Sequence, residues 1–171
     1  MADAGVCEPL IASFENGLVM KLIRGSVLTQ QNVSDRKIAT TTAVEISRMH
    51  SNLTLLPNEK SEKFAEQIEG FLRLIPDIFS SDINQNQYKT LDLPSKKEIR
   101  QALEDSKRNF DKQITPLVAC HNDLLLNNFL YEDDTDSITI IDYEYLAPNP
   151  AAFDIANHFN EYAGTENVSY I

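Results

Sequence analysis

Two short segments of the sequence carry side chains whose types and spacing suit phosphoryl transfer. The first is His121-Asn122-Asp123 with Asn128 five residues after the aspartate, and the second places Asp142 fourteen residues after Asn128. Phosphoryl transfer needs a carboxylate that orients the attacking hydroxyl and accepts its proton. It also needs oxygen ligands that hold Mg²⁺ against the phosphate oxygens. These side chains are therefore candidates for such a site.

An ordinary turn is the alternative explanation for the first segment, because Asn and Asp satisfy local backbone groups and tolerate unusual φ angles. The second segment favours a site, since Asp142 closes the apolar run 138–141 at the distance that a β-hairpin requires. In the protein-kinase pattern, the loop Asp is the base and the later Asn and Asp ligate the metal. Those roles fall here to Asp123, Asn128 and Asp142.

A third segment, residues 150–162, is predicted to be a helix. Asp154 lies near its N-terminal end, where the helix dipole favours a negative charge. Asn157 and His158 are either surface groups or satisfied core groups on this interpretation, and Asp154 could serve the dipole alone. The side expected to face inward carries Phe153, Ala156, Phe159 and Ala163.

A hairpin and a long helix are predicted ahead of these segments. The runs 10–14 and 18–23 flank Asn16-Gly17, and this dipeptide favours a hairpin because both residues tolerate positive φ. Residues 29–33 resemble a helix start, and a helix is predicted over 33–49. Its expected inward positions are Ile38, Thr42, Glu45 and Met49, with Val44 and Ile46 less well aligned.

Two further helices and three strands complete the predicted elements. Asn58 is expected to cap the second helix, and Ser95-Lys96-Lys97-Glu98 has the capping-box pattern of a third. Between them, the polar stretch 81–93 is predicted to be a surface loop. The expected strands are 117–120 and the hairpin 129–131 with 138–141. The expected inward residues of the two helices are Phe64, Ile68, Phe71, Leu72 and Ile75, then Ile99, Ala102, Leu103, Ser106 and Phe110.

The composition excludes several classes of protein. The chain has 171 residues, 42% of them hydrophobic, and a formal net charge of −11. This charge disfavours binding to nucleic acid or to anionic lipid, and no apolar run is long enough to insert in a membrane. Cys7 and Cys120 lie far apart, which supports neither a disulfide framework nor a zinc site. We therefore expect a soluble, cytoplasmic protein of one domain's size.

The motifs resemble those of the choline/ethanolamine kinases in order and spacing. The similar stretches are residues 121–125 with Asn128, residues 141–145 and residues 153–161, and the sequence Glu161-Tyr162-Ala163-Gly164 is closer to the ethanolamine branch. The resemblance implies an α/β (α+β) protein-kinase-like fold of the aminoglycoside-phosphotransferase type. It also implies phosphorylation of the hydroxyl of ethanolamine or choline by ATP with Mg²⁺, a first step of phosphatidylethanolamine synthesis. A homodimer or heterodimer is compatible with it.

The resemblance also implies a role for each matching residue. Asp123 would be the catalytic base, and Glu144 would support the metal held by Asn128 and Asp142. The backbone at Lys21 and Ile23 would bind adenine, and Glu161 would face the substrate ammonium group. His121 and Asp154 would support the structure of the loop rather than react.

The resemblance has departures that leave alternatives open. Ala156 stands where the family usually has Gly, and no Gly- or Ser-rich phosphate loop precedes Leu10. Residues 1–25 would be a remnant of the small lobe with its hinge, and residues 26–171 a large lobe without its last helices. Exposed apolar patches are expected as a result. One alternative is a catalytically inactive remnant or interaction protein, and another is a different small-molecule phosphotransferase of the aminoglycoside-kinase type.

Overall fold

The structure is a computed structural model that describes residues 5–7, 9–55, 61–91, 93–109 and 116–163. The chain divides into two compact units. The first unit joins residues 1–61 to residues 116–171, and the second comprises residues 62–115. The predicted Asn58 cap and Phe110 lie outside the described residues.

Antiparallel pairs make up all three small sheets described in the first unit. β1 (Leu10–Phe14) pairs with β2 (Gly17–Met20), as the hairpin prediction requires. β5 (Phe129–Glu132) lies between β3 (Ser26–Val27) and β6 (Ser137–Ile140), and this confirms the second predicted hairpin. β4 (Leu117–Cys120) pairs with β7 (Ala147–Pro150).

The turn of the first hairpin differs from the prediction. Gly17 already belongs to β2 and pairs with Phe14, so the turn consists of Glu15 and Asn16. Neither Asn16 nor Gly17 is among the residues with positive φ. The hairpin therefore forms without the left-handed conformations that Asn-Gly was expected to supply.

The described residues of the first unit form the α-helices α1 (Gln30–Val33), α2 (Arg36–Asn52) and α6 (Ala151–Asn160). α2 begins later than predicted because the Asp35 side chain accepts hydrogen bonds from the amides of Lys37 and Ile38 and caps the helix there. Its buried residues are Ile38, Thr42, Ile46 and Met49. Ile46 thus takes the inward position that the sequence pattern assigned to Glu45.

The core of the first unit lies beneath the loop that carries Asp123. Leu124, Phe129 and Ile140 have no exposed surface, and they pack with residues of α1, α2 and β6. The remaining members of the cluster are Val6, Leu28, Val33, Ile38, Ile46, Met49, Leu126 and Ile138. Burial of these apolar side chains, which include Leu124 and Leu126 of the loop, holds the loop against the core.

The second unit contains α3 (Phe64–Leu74), α4 (Asp82–Thr90) and α5 (Lys96–Asn109). The predicted capping box is present, since the Glu98 amide donates to Ser95 Oγ and the Ser95 amide donates to the Glu98 carboxylate. The hydrogen bond from the Ser95 hydroxyl to the Glu98 carboxylate lowers the pKa of Glu98, and the bond from the Ser95 amide adds to this effect. Arg100 joins α5 to α3 through both carboxylate oxygens of Glu69.

The predicted loop over 81–93 is wrong, because α4 occupies most of it. Ser81 caps α4 by accepting from the amide of Asn84, and the ring of Tyr88 lies 5.1 Å from that of Phe79. None of the residues in α4 is buried. A helix without an inward face has no apolar periodicity, which is why the sequence pattern did not indicate it.

Apolar side chains are exposed on the first hairpin, as expected from the resemblance. Each of four large ones has between 54% and 66% of its surface exposed: Leu10, Ile11, Phe14 and Leu18. Leu22, just after β2, is 85% exposed. Among the described helices, none combines the length and apolar character needed to cross a bilayer.

Candidate active site

Residues 121–128 connect β4 to β5 and are called the Asp123 loop. The structure brings together the two residues that the spacing pairs. Nδ2 of Asn128 donates to the Asp123 carboxylate at 3.0 Å and to the Asp123 carbonyl at 2.8 Å. A 3-10 turn at Leu126–Asn128 closes the five-residue separation and makes this contact possible.

Asp142 lies at the same end of the β5–β6 hairpin as Asn128. Phe129 pairs with Ile140, and the Ile141 amide donates to the Asn128 carbonyl at 2.9 Å. Asp142 has φ of 64°, a left-handed conformation that Asp tolerates better than most residues, and its side chain is exposed. The hairpin therefore holds an amide and a carboxylate beside the Asp123 loop.

The donor set at this end of the hairpin fits a hard divalent cation. Because Nδ2 of Asn128 binds Asp123, its amide oxygen is the atom that remains for a ligand. Asp142 and Glu144 are both exposed and carry carboxylate oxygens, the ligands that Mg²⁺ prefers. A divalent ion held by these residues would neutralise the charge that develops during phosphoryl transfer.

His121 is held in a structural position. It is fully buried, its Nε2 lies 2.8 Å from the Ile141 carbonyl, and its ring lies 4.8 Å from that of Tyr143. Since a carbonyl oxygen only accepts, Nε2 carries a proton in this contact. The arrangement links the start of the Asp123 loop to the hairpin that carries Asp142.

Asp154, in the first turn of α6, binds the loop from the opposite side. It is fully buried and accepts hydrogen bonds at 2.8 Å from the backbone amides of His121 and Asn122. Nε2 of His50, near the end of α2, lies 2.8 Å from the same carboxylate. These contacts go beyond the dipole role considered from the sequence.

Asn122 is a residue whose role sequence reasoning missed. Its φ is 68°, and its side chain donates to the Tyr145 carbonyl at 2.7 Å while accepting from Asn149 Nδ2 at 2.6 Å. The available signal was residue type, because Asn is one of the few residues that adopt a left-handed conformation at low cost. Asn122 thus changes the direction of the chain and joins it by hydrogen bonds to Tyr145, before β7, and to Asn149.

The inward face predicted for α6 is wrong. Phe159 is 63% exposed and Ala156 is also exposed, whereas Asp154 and His158 are buried. Ala163 belongs to the 3-10 turn Glu161–Ala163 that follows the helix. A polar face therefore meets the Asp123 loop, which a search for apolar periodicity cannot find.

Besides Asp154, three side chains of α6 and the turn that follows it bind backbone groups of the Asp123 loop. Asn157 Oδ1 accepts from the Leu124 amide at 2.5 Å, and His158 Nδ1 lies 3.1 Å from the Leu124 carbonyl. The Glu161 carboxylate accepts from the Leu126 amide at 3.1 Å. Burial lowers the pKa of His158.

His50, Cys120 and Asp154 form the cluster in the described part of the chain whose ligand atoms are close enough to hold a metal, within 4.8 Å of one another. The structure uses them otherwise. The Cys120 thiol donates to the carbonyls of Asn149 and Pro150, at 3.3 Å and 3.4 Å, and burial raises its pKa strongly. The thiol is protonated, and the Asp154 carboxylate already has hydrogen bonds to His50, His121 and Asn122. These residues therefore form a hydrogen-bond network rather than a metal centre.

Lys21 and Ile23 lie in the stretch between β2 and β3, which has no regular secondary structure. Lys21 is exposed and Ile23 is half-buried. The chain then passes Gly25 and joins β5 through β3, beside the Asp123 loop. Their assignment to adenine stays a prediction.

Comparison with known proteins places these motifs in a family. The family described as choline/ethanolamine kinase matches residues 1–170. The chain belongs to the choline/ethanolamine kinase family. Members similar to it include the probable ethanolamine kinase of Nematostella vectensis, 37% identical over 166 residues, which are 97% of this chain and 47% of that protein. Ethanolamine kinase 2 of Rattus norvegicus is 32% identical over 167 residues, which are 96% of this chain and 41% of that protein.

Solved structures agree with the assignment to this family. Plasmodium vivax ethanolamine kinase superposes with a TM-score of 0.73 at 27% identity, covering 95% of this chain and 48% of that one. An aminoglycoside-3'-phosphotransferase of type VIII, 17% identical, shares the fold with a TM-score of 0.58 over 96% of this chain and 62% of that one. The predicted protein-kinase-like fold is confirmed. The chain spans about half the length of the curated relatives it matches.

Proposed function

We propose that this chain carries the reacting groups of a kinase that transfers the γ-phosphoryl group of ATP to the hydroxyl of ethanolamine. The observation that supports this most directly is the contact between Asp123 and Asn128 beside Asp142, within a chain of the choline/ethanolamine kinase family. The names of the similar relatives favour ethanolamine as the substrate. Choline is the second candidate, since a choline kinase from Cryptosporidium parvum is 25% identical to this chain, with a TM-score of 0.67.

In this proposal, Asp123 accepts the proton of the substrate hydroxyl. Asn128 and Asp142 hold Mg²⁺ with Glu144 in support, and the backbone at Lys21 and Ile23 binds adenine. Glu161 attracts the ammonium group, and its observed contact with the Leu126 amide keeps the carboxylate at the edge of the loop. Residues 1–25 act as small-lobe strands and hinge, and residues 26–171 as large lobe.

The setting of the enzyme is also part of the proposal. We place it in the cytoplasm, where its phosphorylated product would enter phospholipid synthesis. A homodimer or heterodimer is compatible with the exposed apolar hairpin. The net charge of the chain, −11, disfavours nucleic acid as a partner.

The test is release of ADP by the purified chain with ATP and Mg²⁺, in the presence of ethanolamine, choline or neither. We expect turnover that depends on ethanolamine and falls about 100-fold or more in Asp123→Ala, because a positioned base contributes about that much. Asp134→Ala, in the exposed turn of the β5–β6 hairpin, is the matched control and should keep full turnover. A folded chain without turnover would favour the non-catalytic alternative.

A further inference from the structure

We infer that Asn157 and His158 are positioning residues that hold Asp123 in place through the peptide groups of Leu124. The inference rests on the proposed function for its kinetic consequence, but its structural basis is independent of it. No hydrogen bond joins either side chain to Asp123 in the described part of the chain. Both bind the backbone of the residue that follows Asp123, one at the amide and the other at the carbonyl.

Leu124 needs these partners because of where it lies. Its surface is completely buried, and it belongs to neither a helix nor a strand. A buried backbone amide or carbonyl without a hydrogen bond is destabilising, so such groups are paired in native proteins. Asn157 and His158 satisfy both groups of Leu124 from consecutive positions on α6. The side chain of Leu124 is at the same time anchored in the core.

The chemistry of His158 suits one protonation state. Nδ1 must carry the proton, because it faces a carbonyl oxygen. Nε2 is buried and has no hydrogen-bond partner among the residues that the structure describes. The ring lies 4.9 Å from that of Phe129 and 5.3 Å from that of Tyr162, and a second proton, on Nε2, would be buried without an acceptor among the described residues. His158 therefore acts as a neutral donor.

The consequence for Asp123 follows from chain connectivity. The Leu124 amide is part of the peptide group that contains the Asp123 carbonyl, which also accepts a hydrogen bond from Asn128. Asn157 and Asn128 thus hold the two sides of this one peptide group. Loss of either contact shifts the carboxylate, and a shift of about 1 Å can cost about 100-fold in rate.

The first experiment measures steady-state kinetics of variants of the chain. Asn157→Leu and His158→Leu remove the two contacts, and we expect kcat to fall about 10- to 100-fold with KM for ATP and ethanolamine nearly unchanged. Asn157→Asp keeps the acceptor and His158→Asn keeps a donor near the position of Nδ1, so both should recover most of kcat. Asn160→Leu, on the exposed side of α6, is the matched control and should resemble the unaltered chain.

The second experiment uses hydrogen exchange at the Leu124 amide, observed by NMR, and does not depend on activity. The unaltered chain should protect this amide although it lies outside regular structure, and Asn157→Leu should speed its exchange about 10-fold or more while β5 and β6 keep their protection. Fast exchange in the unaltered chain would overturn the inference even if the leucine variants failed to fold. A chain that protects Leu124 but shows no turnover would refute the proposed function and leave the structural basis intact. Equal losses of kcat in the leucine and conservative variants would refute positioning.

Discussion

Asp154 is fully buried, and its carboxylate accepts hydrogen bonds from the amides of His121 and Asn122 and contacts Nε2 of His50. Hydrogen bonds to a charged group are each worth about 1.5–3 kcal/mol, more than those between neutral groups. One side chain thereby connects α2, α6 and the beginning of the Asp123 loop. The shape of that loop depends on this carboxylate as much as on its own residues.

The substitution Asp154→Asn should destabilise the protein by about 2–4 kcal/mol, because the amide group presents an NH₂ where the carboxylate presents a second acceptor. At least one of the three donors then faces another donor in a buried site. Urea denaturation followed by circular dichroism measures the change. Asp133→Asn, in an exposed turn, is the control and should unfold at the same urea concentration as the unaltered chain. An unchanged midpoint for Asp154→Asn would contradict the role described for the carboxylate.

The buried ring of His158 predicts a loss of stability at mildly acidic pH. Burial lowers its pKa below the ordinary value of 6.5, although the Leu124 carbonyl and the Glu161 carboxylate oppose this shift. The unfolded chain therefore binds the proton more readily, and the free energy of unfolding falls as pH drops below about 6.5.

The measurement is urea denaturation at intervals between pH 7.5 and pH 5.5. His158→Asn lacks the titrating ring, so the decline with falling pH should be shallower in this variant. His50 and His121 remain in both proteins and cancel in the comparison, as do Glu161 and Tyr162, which lie near the ring. Identical slopes in the two proteins would argue against a lowered pKa at His158.

At the scale of elements, Gly25 determines how closely the chain approaches β5. Its φ is 124°, which favours glycine, and a Cβ atom there would lie 2.7 Å from the Tyr131 carbonyl oxygen. Neither the carbonyl nor the strand that carries it can move away cheaply, because β5 lies between β3 and β6. A single glycine thus allows the stretch between β2 and β3 to pack closely against the β5–β6 hairpin.

Gly25→Ala should destabilise the protein by about 1–3 kcal/mol, from backbone strain together with the clash at Tyr131. Gly17→Ala is a matched control, since Gly17 lacks positive φ and a Cβ there would meet no atom within 4 Å. Thermal unfolding of the two variants measures the difference. Equal melting temperatures would contradict the close approach at Gly25.

The helix α4 forms although its sequence has no apolar face. Its residues 82–90 are polar apart from the exposed Ile83, and none is buried. Its stability therefore comes from the Ser81 cap, the contact between Phe79 and Tyr88, and the hydrogen bond from the Phe79 amide to Gln85. Such a helix depends on its ends more than on a buried face. Its conformation follows from interactions that a hydrophobic pattern does not record.

At the scale of the whole molecule, the first unit is assembled from two stretches that are far apart in sequence, residues 1–61 and 116–171. Contacts between them include His50 with Asp154 and the core packing of α2 against β6. The first hairpin contributes little to this core, since its large apolar side chains are exposed. Exposed apolar side chains of this kind favour association.

The exposed hairpin should bind apolar dyes and promote self-association of the chain. The double substitution Ile11→Thr and Leu18→Thr keeps residues that favour strands but removes apolar surface, so dye fluorescence and light scattering should both fall. Ser13→Thr, on the same strand, leaves the apolar surface in place and should change neither signal. Unaltered dye binding in the double variant would locate the apolar surface elsewhere.

Local patterns in the sequence were sufficient to predict much of the fold and part of the candidate site. Both hairpins and the capping box at Ser95 are observed, because turn residues and caps act over a few positions. The spacing from Asp123 to Asn128 likewise assigned both residues to one candidate site, and one turn of the chain brings them into contact. The family followed from the order of three such motifs.

Only the tertiary structure decided which faces are buried and which distant groups meet. The sequence pattern of α6 indicated an apolar inward face, but its buried side binds the Asp123 loop through Asp154, Asn157 and His158. These hydrogen bonds join residues more than thirty positions apart. The reason is physical: unpaired buried backbone groups are costly, and the polar side chains that satisfy them are selected by position in space, which no local periodicity records.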